Sequence, residues 1–244
     1  MDERLVAEVE AAAYRAWRSA EWVDLEGWRL HASGGFSRRG NSAAPPPEGN
    51  APGDALGAIR RWYQERNLSL VVRITPLVEQ FDAVLADLGF TSEGVTDVMT
   101  TQITDGGIGG VAIASTPSAD WISAQERLQG VPADLRSSWE GIINRIDRPA
   151  GFALHFDEGS PVAAGLAVRD DPWVGLFEIN VASAHRRRGL GRSLSNALLH
   201  WGAATGARRA YLQVVHDNEP AKALYRSLGF TPAYRYWYRR APVS

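Results

Sequence analysis

The sequence predicts an α/β (α+β) fold, because amphipathic helical patterns alternate with short apolar strands along the chain. Its 244 residues are 45% hydrophobic and 22% charged, which is typical of a globular protein with a buried core. Part of the first half also recurs in the second half. At roughly 150 residues per domain, this length corresponds to one or two domains.

Charge and cysteine content exclude several classes of function. The chain has no cysteine, so it cannot form disulfides, thiolate zinc sites, Cys-ligated iron–sulfur clusters or a cysteine acyl-enzyme. A net charge of −2 gives no electrostatic reason to bind nucleic acid or an anionic membrane. The acidic start lacks the features of a secretory signal, and the weakly apolar run 106–115 is too short to span a bilayer. We therefore expect a cytoplasmic monomer or homodimer without a nucleic-acid or membrane partner.

Apolar residues at helical spacing predict an opening amphipathic helix over residues 4–18. Glycine and proline clusters then divide the first half into short segments. Extended segments are expected at 28–32, 36–44, 70–74 and 96–104, with Gly34-Gly35 as the turn between the first two. Helices are expected at 54–66 and 78–88. Asp54 is the expected N-cap of the first helix, and Gly89 is expected to end the second. The glycine-rich residues 105–110 indicate a boundary, which gives domains of residues 1–105 and 111–244.

The second half carries clearer signals of secondary structure. Strands are expected at 111–115, 173–181, 210–215 and 234–238, a hairpin at 152–156 with 162–168, and helices at 118–128, 133–146, from 190 onward and at 220–228. The helix that begins at residue 190 places Leu194, Leu198 and Trp201 on one face, which predicts that this face packs on the sheet.

An internal repeat links the two halves of the chain. Adding 140 to each residue number superimposes five identical residues: Glu79, Ala83, Leu88, Gly89 and Phe90 meet Glu219, Ala223, Leu228, Gly229 and Phe230. A tryptophan-bearing helix and a strand precede each copy. The matching order of elements favours an ancient duplication over chance similarity.

The sharpest local signal is the segment 179–192, which reads strand, loop, glycine turn and helix. The first backbone N–H groups of a helix have no intrahelical partner, and the helix dipole makes them attractive to anions. Gly189 and Gly191 let the backbone approach a ligand closely. Four arginines beside this turn can add bidentate phosphate contacts: Arg186, Arg187, Arg188 and Arg192. A diphosphate is the natural ligand, and the alternative is a solvated basic turn that binds nothing. The segment is neither a Walker A motif nor a dinucleotide fingerprint.

A second motif lies downstream at residues 218–230, with the pattern N-x-x-A-x-x-L-Y-x-x-x-G-F. Asn218 can cap the helix, and Tyr225 follows two turns later. Together with the R-x-x-G-x-G pattern at 186–191, this motif resembles the GNAT superfamily of acetyl-CoA-dependent N-acetyltransferases. The resemblance covers roughly residues 111–240. It implies a mixed central sheet flanked by helices, with splayed strands in the C-terminal half.

The first half looks like the degenerate partner domain of tandem GNAT proteins. At the 140-residue offset, Val78 and Leu85 stand where the second half has Asn218 and Tyr225. The stretch 38–41, taken as the counterpart of the glycine turn, lacks a second glycine. The resemblance therefore implies that the first half binds no acetyl-CoA and instead forms a wall of the acceptor pocket.

The resemblance also implies how the cosubstrate acetyl-CoA binds, without a metal. Its pantetheine arm would lie between the splayed strands against the backbone of Ile179, Asn180 and Val181. Its pyrophosphate would lie on the N–H groups from Arg188 through Gly189, Leu190 and Gly191 to Arg192. Asn218 would bond the pantetheine arm, and Arg226 would lie near the adenosine end.

The activity implied is direct acetyl transfer to the primary amine of a small molecule. Because there is no cysteine to carry the acyl group, we expect transfer within a ternary complex. The whole chain is also similar to bacterial N-acetylglutamate synthase-like GNAT proteins, so glutamate is an expected acceptor, with some of Arg38, Arg39 and Arg169 binding its carboxylates. The alternatives are a peptide or protein amine as acceptor, or a non-catalytic acyl-CoA-binding protein.

Two residues are expected to move protons in this reaction. Tyr225 is the expected general acid beside the sulfur, and the alternative is an aromatic side chain that only packs in the core. Glu178 interrupts an apolar strand and is the expected general base, the alternative being a strand residue that faces solvent. His216, just beyond the neighbouring strand, is the competing base.

Overall fold

The computed structural model describes residues 2–49, 52–53, 55–103 and 111–242. These residues form eleven strands and seven α-helices, with single 3₁₀ turns before α3 and α6. In chain order they are α1 (Glu3–Ala16), β1 (Glu21–Leu25), β2 (Trp28–Ala32), β3 (Ala43–Ala44), α2 (Ala55–Gln64), β4 (Val71–Ile74), α3 (Gln80–Asp87), β5 (Thr91–Gln102), β6 (Ala112–Ala114), α4 (Ala119–Gln129), α5 (Arg136–Asn144), β7 (Ala150–Asp157), β8 (Ser160–Asp170), β9 (Trp173–Val181), α6 (Leu190–Ala204), β10 (Arg209–Val215), α7 (Glu219–Arg226) and β11 (Thr231–Arg240).

All eleven strands belong to one mixed sheet with the order β1-β2-β3-β4-β11-β5-β10-β9-β8-β7-β6. Only β3–β4 and β9–β10 are parallel pairs. Successive residues of β8 face opposite ways: Ala164 packs with α1, α4 and α5, and Ala163 packs with α6. A third apolar cluster joins α2 and α3 to β2 and β4. The expected mixed sheet with flanking helices is confirmed.

The two halves exchange their last strands. β11, from the end of the second half, lies between β4 and β5. The whole of β10 pairs with β5, from Arg209↔Gln102 to Val215↔Thr96. The order strand–helix–strand–helix–strand, with its first two strands parallel, occurs in both halves, which agrees with the sequence repeat. The division between residues 105 and 111 stays a prediction, because residues 104–110 lie outside the described part of the chain.

The segment 36–44 was expected to be extended, and most of it is not. Only Ala43–Ala44 form a strand, because the side chain of Asn41 folds the preceding residues into a compact loop. The edge strand β1 was not expected from the sequence, since its side chains are mostly exposed and show no clear apolar alternation. The expected N-cap Asp54 lies outside the described residues.

A buried ion pair joins α1 to the sheet. Arg73 of β4 donates two hydrogen bonds to the carboxylate of Glu10, with N···O distances of 2.9 and 2.8 Å, and a third to the Tyr238 hydroxyl at 2.8 Å. Its guanidinium carbon also lies 3.5 Å from the ring centroid of Tyr236. Breaking a buried pair leaves an uncompensated charge, so this network holds β11 firmly in the first half of the sheet. Tyr236 and Tyr238 are thereby positioned beside the cavity described below.

Candidate active site

The parallel strands β9 and β10 separate at one end. They pair from Arg209↔Trp173 to Leu212↔Leu176 and no further, although β9 continues to Val181 and β10 to Val215. The other edge of β9 stays paired with β8 as far as Ala163↔Val181. A cavity of about 760 Å³ opens between the separated ends. The expected splay in the C-terminal half is confirmed, and it leaves strand backbone of residues 177–181 available to a ligand.

A β-bulge in β9 places Glu178 on this cavity. Glu178 and Ile179 together stand opposite Gly165 of β8, and Glu178 has the left-handed value φ = 53°. A side chain at Gly165 would come within 2.7 Å of the Ile179 side chain and 3.0 Å of Leu194, so the space opposite the bulge is filled by packed apolar side chains. Gln125 of α4 fixes the distorted backbone, since its Nε2 donates to the Glu178 carbonyl oxygen at 2.5 Å. Its Oε1 accepts from Asn180 Nδ2 at 2.9 Å.

Burial makes the Glu178 carboxyl unusually weak as an acid. Loss of solvent raises its pKa to about 7, and the nearby Trp139 indole, Arg39 and Gln129 reduce this shift without reversing it. Glu178 Oε2 and Trp139 Nε1 are both buried, and neither completes a hydrogen bond with the described residues. The carboxyl therefore changes its protonation state near neutral pH, which suits a general base or acid.

His216, the competing base, lies outside the cavity lining and belongs to an ion cluster. Its Nδ1 is 2.9 Å from Asp97 Oδ2, and the same carboxylate receives Lys222 Nζ at 3.3 Å and Arg235 Nε at 2.8 Å. Burial alone would raise the pKa of Asp97, but hydrogen bonds from Arg235, His216 and Lys222 outweigh it and hold that pKa at about 2. This permanently charged carboxylate keeps the His216 ring turned to the cluster.

Tyr225 reaches the cavity from α7. Asn218 caps that helix, as its side-chain oxygen accepts from the backbone N–H of Ala221 at 3.2 Å. The Tyr225 ring packs edge-on against Phe230, with 6.0 Å between ring centroids. Burial raises the pKa of the Tyr225 phenol to about 12, so the hydroxyl stays protonated and available as a donor. Both Tyr225 and Asn218 line the cavity.

The glycine turn before α6 has the expected geometry. Arg187 and Gly189 adopt left-handed φ values of 61° and 81°, and the helix begins at Leu190. No atom lies within 4 Å of the position that a side chain at Gly189 would take, so a ligand can approach this backbone. A side chain at Gly191 would come within 3.2 Å of Leu224, which shows that α6 and α7 pack closely there. The turn can thus present free N–H groups to an anion.

The arginines around this turn are exposed. Arg186 Nε donates to the Val181 carbonyl at 3.3 Å, Arg188 Nη1 lies 3.5 Å from Asp157, and Arg226 Nη1 lies 3.5 Å from Glu219. Arg192 Nη2 reaches the Ser227 carbonyl at 3.5 Å. These contacts are long, so each guanidinium can turn toward a bound phosphate at small cost.

The counterpart of the glycine turn in the first half was misplaced from the sequence. In the repeated topology the loop between β3 and α2, residues 45–54, takes this position, whereas residues 38–41 precede β3, and Arg38 and Arg39 line the cavity. Four prolines stand in that loop: Pro45, Pro46, Pro47 and Pro52. Proline has no backbone N–H, so these four positions offer no donor to a phosphate.

Several residues in or next to the cavity carry no sequence motif. Gln125 and Trp139 adjoin Glu178 without lining the cavity, and they come from helices that any amphipathic pattern would produce. Tyr236 lines the cavity and arrives through the strand exchange. Arg169, expected to bind an acceptor carboxylate, instead pairs with Asp171 at 2.7 Å and does not line the cavity. Only the assembled sheet distinguishes these residues.

Within the described ranges, no helix is both long and apolar enough to cross a membrane, and no three His, Asp or Glu side chains group as metal ligands.

Comparisons with known proteins agree with this fold. A family model described as "Probable histone acetyltransferase Rv0428c C-terminal" matches residues 5–239. The probable histone acetyltransferase Rv0428c of Mycobacterium tuberculosis is 31% identical over 227 residues, which are 91% of this chain and 69% of the relative. The uncharacterized N-acetyltransferase YobR of Bacillus subtilis is 27% identical over 245 residues, 96% and 98% of the two chains. A solved GCN5-related N-acetyltransferase from Kribbella flavida shares the fold, with a TM-score of 0.71, 20% identity and coverage of 98% and 96%. The chain therefore belongs to the GNAT family of N-acetyltransferases and to the group that this family model describes.

Proposed function

We propose that the protein transfers an acetyl group from acetyl-CoA directly to the primary amine of a small molecule. The observation that carries this proposal is one cavity that joins unpaired strand backbone, Glu178 and Tyr225. A narrower form has an amino acid as the acceptor, glutamate being the example that the sequence resemblance supplies. This narrower form has no support from the names of the relatives.

The residues present fit acetyl-CoA. The strand backbone at 177–181 can hydrogen-bond an amide-bearing arm, and Asn218 lies at the mouth of the same opening. The N–H groups from Arg188 to Arg192 suit a pyrophosphate, with Arg226 on the adjacent helix for the adenosine end. When bound, acetyl-CoA supplies an activated acyl group and a thiolate leaving group.

Two side chains then manage the protons. Glu178, whose pKa of about 7 lies near neutral pH, accepts the proton that the neutral acceptor amine loses on attack, directly or through one water. Tyr225, a neutral phenol, donates its proton toward the departing sulfur. The chain has no cysteine to form a thioester of its own, so both events belong to one ternary complex.

A protein amine is the second candidate acceptor. Its support is the name of the Mycobacterium tuberculosis relative, a probable histone acetyltransferase with 31% identity. A peptide would have to enter the same cavity, whose walls include Phe36 and Arg39 from the first half. A small acceptor fits this walled site better than a chain segment does.

A screen for CoA thiol release tests the proposal. It uses acetyl-CoA with amino acids, polyamines, aminoglycosides and lysine-bearing peptides, and we expect turnover with small amines. Faster turnover of peptides would favour the protein amine instead. Tight CoA binding without turnover of any acceptor would identify a non-catalytic acyl-CoA-binding protein.

We also expect one CoA site per chain. Titration calorimetry should give a stoichiometry of one, because the first-half loop 45–54 is rich in proline. Gly189→Val should weaken CoA binding by at least about tenfold, since valine resists the left-handed backbone at φ = 81°. The matched control is Gly53→Val, a glycine at φ = 52° in the first-half loop, which should leave CoA affinity unchanged. Two sites per chain, or equal losses in both variants, would contradict this expectation.

A further inference from the structure

The loop 33–41 holds Arg39 in a fixed position at the cavity. Asn41 Oδ1 accepts from the Gly35 backbone N–H at 2.9 Å, and Asn41 Nδ2 donates to the Ser37 carbonyl at 2.7 Å. Gly34 and Gly35 take left-handed φ values of 64° and 87°, which lets the chain turn so tightly. This internal bonding orders the backbone that carries Arg39 before any ligand arrives, as a specificity residue requires.

Arg39 lies near two stacked aromatic rings and has no carboxylate salt-bridge partner among the described residues. Its guanidinium carbon is 5.4 Å from the Phe177 ring centroid and 5.9 Å from that of Trp17. Its Nε is buried and has no hydrogen-bond partner among the described residues. The aromatic faces stabilise part of the positive charge of Arg39, but they provide no oxygen or nitrogen atom to accept hydrogen bonds from its N–H groups. A cation in this setting gains free energy from an anion that reaches it.

The other arginines of the cavity are already paired. Arg38 Nε lies 2.7 Å from Glu93 Oε1, and Arg240 contacts both oxygens of the same carboxylate at 2.8 and 3.0 Å. These contacts hold the pKa of Glu93 below its usual range, mainly through the hydrogen bond from Arg240. Among the described arginines that line the cavity, Arg39 is thus the one without a carboxylate.

Glu178 supplies the opposite charge close to Arg39. It follows Phe177, over which Arg39 lies, and the Arg39 charge opposes the burial that raises the pKa of Glu178. Among the described residues that line the cavity, Glu178 is the one with a carboxyl group. One carboxylate beside one guanidinium is complementary to an ammonium beside a carboxylate.

We propose that the acceptor is an amino acid with a single carboxylate, and that Arg39 binds this carboxylate while Glu178 faces the amine. This inference rests on the proposed acetyl transfer and adds the class of the acceptor. A dicarboxylate such as glutamate is disfavoured, because its second carboxylate would meet aromatic side chains and arginines that Glu93 already holds. Arg39 is therefore the residue that selects the acceptor.

Matched acceptors test the class on the unaltered protein. Each amino acid is compared with the amine that lacks its carboxylate: phenylalanine with phenethylamine, leucine with isopentylamine, and glutamine with 4-aminobutanamide. We expect kcat/KM to be about 10- to 100-fold higher for the amino acid of a reactive pair, as a charge-assisted hydrogen bond provides. Glutamine should also exceed glutamate. Equal rates within the pairs, or a preference for glutamate, would overturn the inference and leave acetyl transfer standing.

Matched variants test Arg39 itself. Arg39→Gln should lower kcat/KM for amino acids by about 10- to 100-fold more than for the carboxylate-free amines, while leaving the KM for acetyl-CoA unchanged. Arg39→Lys should restore part of the loss. The control is Arg169→Gln, which removes an arginine that pairs with Asp171 outside the cavity. This variant should change neither kcat/KM for amino acids nor kcat/KM for amines. Equal losses for amino acids and amines would assign Arg39 a structural role only, and no turnover with any acceptor would refute both proposals.

Discussion

Replacing Glu178 by glutamine is expected to lower kcat by about 10²- to 10⁴-fold, the contribution of a lost general base. The substitution keeps the shape of the side chain and removes only its ability to accept a proton. In the unaltered protein, kcat should rise with pH through about 7, because burial raises the pKa of this carboxyl to that value. In the variant this acidic limb should be absent.

The measurement is kcat at saturating acetyl-CoA and acceptor over a range of pH, which reports ionisations in the bound complex. His216→Ala serves as the control, since His216 pairs with Asp97 outside the cavity lining. This variant should keep the acidic limb of the pH profile. If His216→Ala flattens the limb and Glu178→Gln does not, the assignment of the base is reversed.

The same carboxyl predicts how stability changes with pH. Its pKa is raised from 4.5 to about 7 in the folded chain, so the folded state holds the proton more tightly than the unfolded state. Its contribution to stability is present below pH 4.5 and is lost as the pH rises through about 7. Glu178→Gln avoids that loss and should raise the melting temperature at pH 8 relative to the unaltered chain, with no gain at pH 4. Equal melting temperatures at pH 8 would refute the raised pKa.

Tyr225→Phe is expected to lower kcat by about 10- to 1000-fold, with CoA affinity little changed. Phenylalanine keeps the ring that packs against Phe230 and loses the O–H that donates toward the sulfur. The burial that raises the pKa of Tyr225 to about 12 keeps the phenol protonated throughout the working range. The two measurements are kcat with a reactive acceptor and calorimetric CoA affinity.

Tyr63→Phe is the matched control for that variant. Tyr63 is a buried tyrosine of α2 whose hydroxyl donates to the His31 carbonyl at 3.2 Å, outside the cavity lining. Its substitution should leave kcat unchanged. An unaltered kcat in Tyr225→Phe would remove Tyr225 from the mechanism and leave it a packing role alone.

The main elements of the second half could be predicted from its sequence because they depend on residues that are close together in the chain. The turn at Gly189 needs a left-handed backbone, and the helix at Asn218 needs a capping oxygen, so both motifs depend on residues a few positions apart. Periodicity predicted β2, β9 and α6 for the same reason. Where a distant contact decides the backbone, as at Asn41 in the segment 36–44, the prediction of a strand was wrong.

The sequence by itself therefore determined the fold class, the family, the glycine turn and the places of Glu178 and Tyr225 along the chain. Only the tertiary structure decided that β5 and β11 change places and that Arg39 and Glu178 line the same cavity. The physical reason is the separation along the chain of the residues that interact. Caps, turns and amphipathic faces follow from neighbouring residues, whereas strand pairing and the partner of a buried charge depend on residues that the folded sheet brings together.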